Sequence, residues 1–473
     1  MNILYLISLL SIIFVVCFQR RDPVVSIAWV LCFIAFPGIG LVFYLIFGIG
    51  LKRHTKKKYM TKLEMAAKTD IKLRKQLSDQ QIISSDDKYK TMIKYLSASA
   101  KSPYTDDNDI EIFTDAKEKY KSVLKDIENA KKNINILYFI IRDDEIGNEI
   151  INALIKKANE GVEVRLLYDG LGSLLTNSKL FKKLKNTPNA YVAEFFPVKL
   201  FSISKINHRN HRKIIVIDGK IAYLGGINIG MEYMGYGKPS PWRDTHIRLV
   251  GEAVFQVQKY FSFDWEFSSG EDITKRMKDF FSYKSDVGKK LPVQIVASGP
   301  ESDEEEIKFG MLKMINAAKK YIYIQTPYFV PDVTFMSAIK MAAQSGVDVK
   351  VMIPGIPDKK YVYHTTMSFV GDLIGAGVEV YCYPGFIHSK TIVCDDDVAT
   401  IGTTNIDKRS FELHFELNAF VYDNEFAKKN KEIFLNDMIG CEKMSEEAYK
   451  KRKKEHPISY MLDGILRLFS PIM

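Results

Sequence analysis

The feature that most constrains this chain is a short motif that occurs twice: a histidine, a lysine two positions later, and then an aspartate. Each copy also has an asparagine at the same distance beyond its histidine. The two copies are His211, Lys213, Asp218 and Asn228, and His388, Lys390, Asp395 and Asn405. One copy could arise by chance, but two copies with the same internal spacing predict a duplicated half-site.

Longer stretches around the motifs repeat in the same order. Residues 127–136 match residues 315–324 at an offset of 188, and residues 161–167 match residues 346–352 at an offset of 185. The motifs follow at an offset of 177, so small deletions accumulate along the second copy. This pattern predicts two copies of one domain rather than a solenoid of short repeats.

Within each copy, helical patterns alternate with short β-branched runs, which predicts a layered α/β fold. Both motifs lead into apolar strands, residues 214–217 and 391–394. A histidine and a lysine two positions apart on an extended segment lie on the same face. Each pair can therefore contact one ligand.

The N-terminus contains two uncharged runs, residues 3–18 and 24–51. The second run exceeds the roughly 20 residues that a spanning helix needs. The first run is short and reaches across only if its flanking polar residues contribute. A cleaved signal peptide is the alternative, but no basic residue precedes the first run. Six basic residues lie between positions 52 and 62, against two between the runs, which predicts that the rest of the chain is cytoplasmic.

These patterns predict five segments along the chain. They are two transmembrane helices (1–51), a basic linker (52–105), a first repeat (106–290), a second repeat (291–440) and a basic, amphipathic tail (441–473). The end of the tail, residues 458–473, could contact a membrane as a short amphipathic helix or could pack on the domain itself.

The net charge of +10 favours an anionic partner, either nucleic acid, an anionic membrane or a phosphorylated substrate. Charge alone does not choose among them. The five cysteines form no Cys-x-x-Cys pair, which is typical of reduced structural thiols.

The duplicated motif is suited to attack on a phosphodiester. Histidine can act as a nucleophile or a general acid near neutral pH, lysine provides a positive charge for phosphate, and asparagine donates further hydrogen bonds. Two facing sets supply every role without a metal. A zinc site from His208, His211 and His246 has no recognised ligand spacing, so we expect no metal.

Several stretches carry a family resemblance: 207–213, 225–230, 241–246, 325–329, 409–413 and parts of 28–48. With both motifs, they resemble the phospholipase D superfamily and, more closely, its bacterial cardiolipin synthases. The resemblance implies an α/β fold of two phospholipase D-like repeats, each a mixed sheet flanked by helices. These repeats would pack pseudo-symmetrically behind a transmembrane helical hairpin. It also implies a multi-pass protein of the bacterial cell membrane with a cytoplasmic catalytic domain.

The resemblance further implies that a phosphatidyl group moves from one phosphatidylglycerol to another through a phosphohistidine, releasing glycerol, with no cofactor. His211 would be the nucleophile and His388 the acid and base, although the reverse assignment stays open. Lys213 and Lys390 would hold the phosphate. Asn228 and Asn405 would bind substrate, and Asp244 and Glu416 would orient the histidines. Asp218 and Asp395 belong to the catalytic signature, but their place at strand ends favours a structural role.

Other functions stay open at this stage. A phospholipase D or a phosphodiesterase nuclease could use the same site with water as acceptor, and a lipid-binding scaffold would use it without turnover. The predicted membrane hairpin argues against a nuclease. We therefore expect phosphatidylglycerol and an anionic membrane as partners rather than nucleic acid; the sequence does not indicate the oligomeric state.

Overall fold

The computed structural model describes residues 3–18, 23–48, 53–69, 87–198, 207–273, 289–302 and 304–470. Its strands, numbered in chain order, are β1 (Asn108–Phe113), β2 (Asn133–Tyr138), β3 (Glu163–Asp169), β4 (Ala190–Phe195), β5 (Ile214–Ile217), β6 (Ile221–Gly225), β7 (Trp242–Arg243), β8 (His246–Gly251), β9 (Val293–Ser298), β10 (Tyr321–Gln325), β11 (Phe329–Val330), β12 (Asp348–Pro354), β13 (Glu379–Tyr383), β14 (Phe386–Ile387), β15 (Thr391–Cys394), β16 (Val398–Gly402), β17 (Ile406–Asp407), β18 (Glu416–Val421) and β19 (Glu442–Lys443).

The α-helices are α1 (Ile3–Phe18), α2 (Pro23–Ala35), α3 (Ile39–Phe43), α4 (Arg53–Thr69), α5 (Asp87–Ala98), α6 (Ala116–Asn129), α7 (Glu145–Asn159), α8 (Ser178–Lys185), α9 (Val254–Ser269), α10 (Glu306–Ala317), α11 (Val333–Gln344), α12 (Lys360–Ile374), α13 (Lys408–Glu412), α14 (Asn424–Met438), α15 (Glu446–Glu455) and α16 (Pro457–Arg467). A π-helical turn (Tyr44–Gly48) follows α3, and a 3-10 turn (Met231–Met234) follows β6.

The strands form two large sheets with the same internal order. The first runs β1-β8-β6-β5-β2-β3-β4, and the second runs β9-β18-β16-β15-β10-β12-β13 with β19 added at its edge. In each sheet one end is parallel, namely β2-β3-β4 and β10-β12-β13. The strands at the other end pair antiparallel. The shared order confirms the prediction of two α/β repeats with mixed sheets.

The two sheets face each other across a shared core. Strand β5 shows how the sequence produces this, because alternate side chains point to opposite faces. Ile214 and Val216 enter the shared core, whereas Ile215 and Ile217 pack beneath the helices of the first repeat. Burial of each such side chain contributes roughly 1.5–3 kcal/mol. Helices α9 and α14 also supply residues to the shared core, so the two repeats are held together as one body.

Two short pairings connect the repeats near the motifs. Asn210 forms a parallel bridge with Phe415, and β7 pairs in parallel with β14. The first pairing brings the segment before His211 beside the segment before Glu416. The second brings the segment before Asp244 beside the segment before His388. Each motif histidine is thus positioned by backbone of the other repeat.

The predicted linker contains two helices that pack into the domain cores. Tyr59 and Leu63 of α4 join the shared core, and Tyr89, Met92 and Leu96 of α5 join the outer core of the second repeat. Residues 70–86 of that segment lie outside the described part of the chain. The linker therefore contributes to the folded domain.

At the N-terminus, α1 and α2 are joined by a small aromatic cluster. Val15, Phe33 and Tyr44 are buried there, and Trp29 packs edge-on against Tyr44 at a centroid distance of 5.1 Å. Among the residues that the structure describes, no helix is both long enough and apolar enough to cross a membrane. The two predicted spans therefore stay a prediction.

Candidate active site

The two motif histidines are held by hydrogen bonds that cross between the repeats. The backbone amide of His211 donates to the carbonyl of Phe415 at 3.0 Å, and that of His388 donates to the carbonyl of Arg243 at 2.6 Å. These bonds are the consequence of the two connecting pairings. They fix the backbone of both motifs in addition to the side-chain contacts.

The side chains of the histidines are also paired across the repeats. His211 Nδ1 lies 2.9 Å from Glu416 Oε1, and His388 Nδ1 lies 2.6 Å from Asp244 Oδ2. Glu416 additionally accepts a hydrogen bond from the Thr403 hydroxyl at 2.5 Å. A carboxylate that accepts from Nδ1–H orients the ring and leaves Nε2 as the reactive nitrogen. The structure therefore places Asp244 and Glu416 in contact with the histidines, each from the opposite repeat.

Both motif lysines are buried beside their histidines. Lys213 Nζ donates to the carbonyl of His211 at 2.7 Å, and Lys390 Nζ donates to the carbonyl of His388 at 2.5 Å. Burial lowers the pKa of Lys213 to about 7 and that of Lys390 to about 8. The charge of Lys390 contributes to the lowered pKa of Lys213. Two buried ammonium groups that interact in this way create a site that favours a bound anion.

Burial and the charges of the motif lysines also lower the pKa values of the two histidines. Burial, followed by the charge of Lys390, lowers the pKa of His388 to about 4. Burial and the charge of Lys213 hold the pKa of His211 well below its usual range. Burial raises the pKa of Glu416 to about 8 despite the nearby Lys213 charge. Both shifts in pKa have the same first cause, the burial of the Glu416–His211 pair away from water.

A single cavity of about 720 Å³ joins the two half-sites. His211, His388, Asn228 and Asn405 all line it. Its other lining residues are Phe139, Ile140, Arg142, Leu171, Arg209, Glu232, Tyr233, Lys238, Pro239, Trp242, Tyr328, Val330, Asp358, Lys359, Tyr361, Val362, Asp407, Arg409, His414 and Phe469. The cavity accordingly combines two histidines with basic and apolar side chains from both repeats.

The two motif asparagines differ in their contacts. Asn228 Oδ1 accepts from the amide of Ile140 at 3.2 Å, and its Nδ2 donates to the Tyr233 hydroxyl at 2.9 Å. Asn405 is buried, and its side-chain oxygen has no hydrogen-bond partner among the described residues. The Asn405 side chain does form a hydrogen bond with Asp407, so its Oδ1 is the one polar atom of the two asparagine side chains without a partner among the described residues.

The motif aspartates lie at turns rather than in the cavity lining. Asp218 accepts from the backbone amides of residues 131–133, and Asp395 accepts from those of residues 319–321, all at 2.6–3.0 Å. Lys88 Nζ also lies 2.6 Å from Asp395. Both aspartates have a left-handed backbone, with φ of 52° and 55°. We propose that each aspartate fixes the start of its central strand, β2 or β10.

We expect Asp218→Asn and Asp395→Asn to reduce stability rather than chemistry. Asparagine tolerates the left-handed backbone but lacks the charge that these amides contact. Hydrogen bonds to charged groups contribute about 1.5–3 kcal/mol, so the free energy of unfolding should fall by a similar amount. Denaturant titration with parallel turnover assays checks this. A large loss of turnover in a variant of unchanged stability would show a direct catalytic role.

Sequence reasoning missed His414 and Arg409 as cavity residues. No sequence motif includes His414, yet it lines the cavity, and neither of its ring nitrogens has a hydrogen-bond partner among the described residues. Arg409 was noticed only within a stretch that carried the family resemblance. No motif spacing distinguishes a cavity-lining histidine from a core one, so no signal in the sequence identified it. His208 and His246, which were weighed with His211 as a zinc site, are buried and do not line the cavity.

Three side chains could in principle hold a metal ion, because His211, His414 and Glu416 offer donor atoms within 4.8 Å of one another. This set shares only His211 with the His208, His211 and His246 set described above. The hydrogen bond between His211 and Glu416 uses two of these donors to orient the imidazole. A metal would have to replace that bond, so the cluster fits histidine orientation better than metal binding.

Comparisons with known proteins agree with this geometry. The family described as cardiolipin synthase, PLD-like domain, matches residues 123–265 and 311–438, and the family described as Phospholipase_D-nuclease N-terminal matches residues 3–48. The major cardiolipin synthase ClsA of Bacillus subtilis is 41% identical over 100% of this chain and 98% of its own length. A cardiolipin synthase of Staphylococcus aureus is 40% identical over 99% of this chain and 95% of its own length.

Among solved structures, a phosphatidylserine synthase from Haemophilus influenzae aligns with a TM-score of 0.61 at 15% identity. The alignment covers 80% of this chain and 99% of that one. At this level of identity the likeness concerns the fold alone. It agrees with the two facing repeats described above.

Proposed function

The chain belongs to the family of cardiolipin synthases with phospholipase D-like domains, and we propose that it joins two phosphatidylglycerol molecules into cardiolipin with release of glycerol. One observation carries this proposal: two histidines, each paired with a carboxylate of the opposite repeat, line one cavity beside two buried lysines. Such a site has a nucleophile, an acid and a cationic phosphate pocket in one place.

In the first step, Nε2 of His211 attacks the phosphorus of one phosphatidylglycerol. A nitrogen–phosphorus bond forms and the bond to the glycerol head group breaks. The anionic phosphate of the bound lipid raises the pKa of His388 from about 4, and the protonated imidazole gives its proton to the departing oxygen, so that free glycerol leaves. Glu416 stabilises the positive charge on His211 through the Nδ1 hydrogen bond.

In the second step, the terminal hydroxyl of another phosphatidylglycerol loses its proton to His388. Its oxygen attacks the phosphorus, the nitrogen–phosphorus bond breaks, and cardiolipin is released. His211 is regenerated with its hydrogen bond to Glu416. The pairing of His388 with Asp244 matches that of His211 with Glu416, so the reverse assignment of the two histidines satisfies the same chemistry.

The cavity also offers positive charge beyond the motif lysines, which supports a lipid acceptor. Arg409 lines the cavity, and its guanidinium makes no hydrogen bond or salt bridge with a described residue. Lys238 and Lys359 line it as well. A phosphatidylglycerol acceptor carries its own phosphate, whereas water does not. Five Arg and Lys residues against three Asp and Glu residues in the lining therefore favour the lipid alcohol as the group that resolves the phosphohistidine.

We further propose that the N-terminal helices anchor the protein as a two-span hairpin in the bacterial cell membrane, with the catalytic repeats in the cytoplasm. The match of residues 3–48 to an N-terminal family segment supports a conserved unit there. The basic cluster that follows supports the orientation. An anionic lipid substrate would then be available at the inner leaflet.

The lysine pKa values predict an alkaline limit to activity. Phosphate binding needs the ammonium forms, which predominate only below the lowered pKa values of about 7 for Lys213 and about 8 for Lys390. We therefore expect kcat/KM to fall as pH rises through 7–8. A bound phosphate stabilises both ammonium groups, so kcat should fall only at higher pH. Coincident alkaline limits in kcat and kcat/KM would contradict this explanation.

The function is tested with purified full-length protein and radiolabelled phosphatidylglycerol in detergent, with no other addition. Separation of the lipids should show cardiolipin, with free glycerol in equal amount. Phosphatidic acid as the main product would instead identify a phospholipase D hydrolase. No turnover by folded protein would favour a lipid-binding scaffold.

A further inference from the structure

Helix α16 packs against the protein through its polar side. Asp463 is buried and accepts from His364 Nδ1 at 2.7 Å and from Arg452 at 2.5 Å. Arg467 donates to the carbonyl of Ser368 at 2.8 Å. These bonds hold α16 against α12 and fix its rotation about its own axis.

The opposite side of α16 and the turn after it presents apolar side chains to solvent. Leu468 is 78% exposed and Ile458 is 70% exposed. The exposed set, which we call the apolar face, is Ile458, Met461, Leu462, Ile465, Leu468 and Phe469. At 3.6 residues per turn these positions share one side of the helix. A soluble protein normally buries such a stripe, so the outward orientation indicates a surface that contacts an apolar phase.

The apolar face is continuous with the active-site cavity. Phe469, at its C-terminal end, lines the cavity that contains His211 and His388. Tyr361 and Val362, at the start of α12, line the same cavity. The surface therefore lies beside the cavity that we propose takes up lipid.

Basic side chains flank the apolar face. Residues 450–454 of α15 read Lys-Lys-Arg-Lys-Lys. Arg452 is used in the contact with Asp463, and Lys453 Nζ lies 4.6 Å from the centre of the Tyr460 ring on α16. An apolar stripe beside basic residues is the pattern of helices that lie in the interface of an anionic bilayer.

We propose that α16 docks on an anionic lipid bilayer through its apolar face and thereby holds the cavity at the membrane surface, where phospholipid enters from the bilayer. This inference rests on the proposed function only in taking a phospholipid as the substrate. The polar contacts of Asp463 and Arg467 keep the helix oriented for docking.

The test compares a double variant, Ile465→Ser with Leu468→Ser, with the unchanged full-length chain. Neither residue lines the cavity, and Phe469 is retained because it does. Ile439→Ser is the matched control, since Ile439 is 77% exposed but lies outside the cavity lining. Turnover of phosphatidylglycerol is measured in vesicles of phosphatidylglycerol and phosphatidylcholine, and in detergent micelles.

We expect the double variant to lose about tenfold in vesicle turnover, because a helix with less apolar area to bury holds the cavity less firmly at the bilayer surface, even where the N-terminal helices keep the protein on the membrane. Micelle turnover should stay unchanged, as should both activities of the control. Undiminished vesicle turnover, or an equal loss in micelles, would overturn docking. The ratio of the two activities can be measured whether the product is cardiolipin or phosphatidic acid, so failure of the synthase proposal remains distinguishable.

A second readout is independent of turnover. Phosphatidylglycerol with a photoactivatable group in its acyl chain is placed in vesicles that carry the full-length protein, and cross-linked peptides are mapped. We expect cross-links within residues 457–470 and none within α14. No cross-link to residues 457–470 would overturn the proposal even if cardiolipin is made.

Discussion

Replacement of His211 or His388 by alanine is expected to lower turnover by at least about 10⁴-fold in either case, because residues that act as one catalytic unit fail together. One histidine supplies the nucleophile and the other the proton, and both line the same cavity. Neither repeat contains both groups. A site in which the two halves acted independently would retain about half of its turnover in each variant.

The measurement is cardiolipin formation from labelled phosphatidylglycerol, with denaturant titration to show that each variant is folded. His456→Ala is the matched control, because His456 is exposed and does not line the cavity. Turnover within about tenfold of the unchanged chain in either variant would contradict a shared site. Rapid quenching with phosphate-labelled lipid should also place the covalent adduct on a peptide containing residue 211.

The adduct experiment separates the two histidine assignments. If His211 is the nucleophile, His388→Ala should still form some adduct slowly, whereas His211→Ala should form none. The reverse pattern would assign the nucleophile to His388. The hydrogen bonds of the two histidines are too similar to decide this, since both contact a carboxylate at hydrogen-bond distance.

The repeated motif was enough to predict two α/β repeats and a shared site, because internal spacing survives in a linear sequence. The β-branched apolar run of residues 214–217 predicts a strand, and the structure shows why it is apolar throughout. Ile214 faces the second sheet, whereas Ile215 faces the helices of its own repeat. A continuous apolar run of this kind indicates a strand that is buried on both faces.

Contacts between residues that are far apart in the chain leave little trace in the local sequence pattern. The pairing of Asp244 with His388 joins residues 144 positions apart, and that of His211 with Glu416 joins residues 205 apart. Both carboxylates were reached through family resemblance rather than through spacing. The predicted basic linker also packs on the domain, because its charged helices carry a few apolar residues, such as Tyr59, that enter the shared core. Hydrophobic periodicity cannot reveal which partner such a residue meets.

Each motif histidine contacts a carboxylate of the other repeat. This arrangement predicts a large loss of turnover when either carboxylate is replaced. We expect Glu416→Gln and Asp244→Asn each to lower turnover by about 10²-fold or more, because an amide cannot stabilise the positive charge that develops on an imidazole. The side-chain shapes are retained, so the loss should appear in kcat with little change in stability. Steady-state kinetics and denaturant titration of both variants measure these quantities.

Glu232→Gln provides the matched control for the carboxylate variants. Glu232 lines the cavity that the two histidines also line, but its partner is Arg142, at 3.1 Å, rather than a histidine. Loss of a negative charge in or near the cavity would by itself affect all three variants alike, whereas loss of histidine orientation affects only Glu416→Gln and Asp244→Asn. An equal loss in Glu232→Gln would therefore mean that the carboxylates act through the overall charge of the cavity. A loss confined to Glu416→Gln and Asp244→Asn would mean that a carboxylate of each repeat orients the histidine of the other repeat.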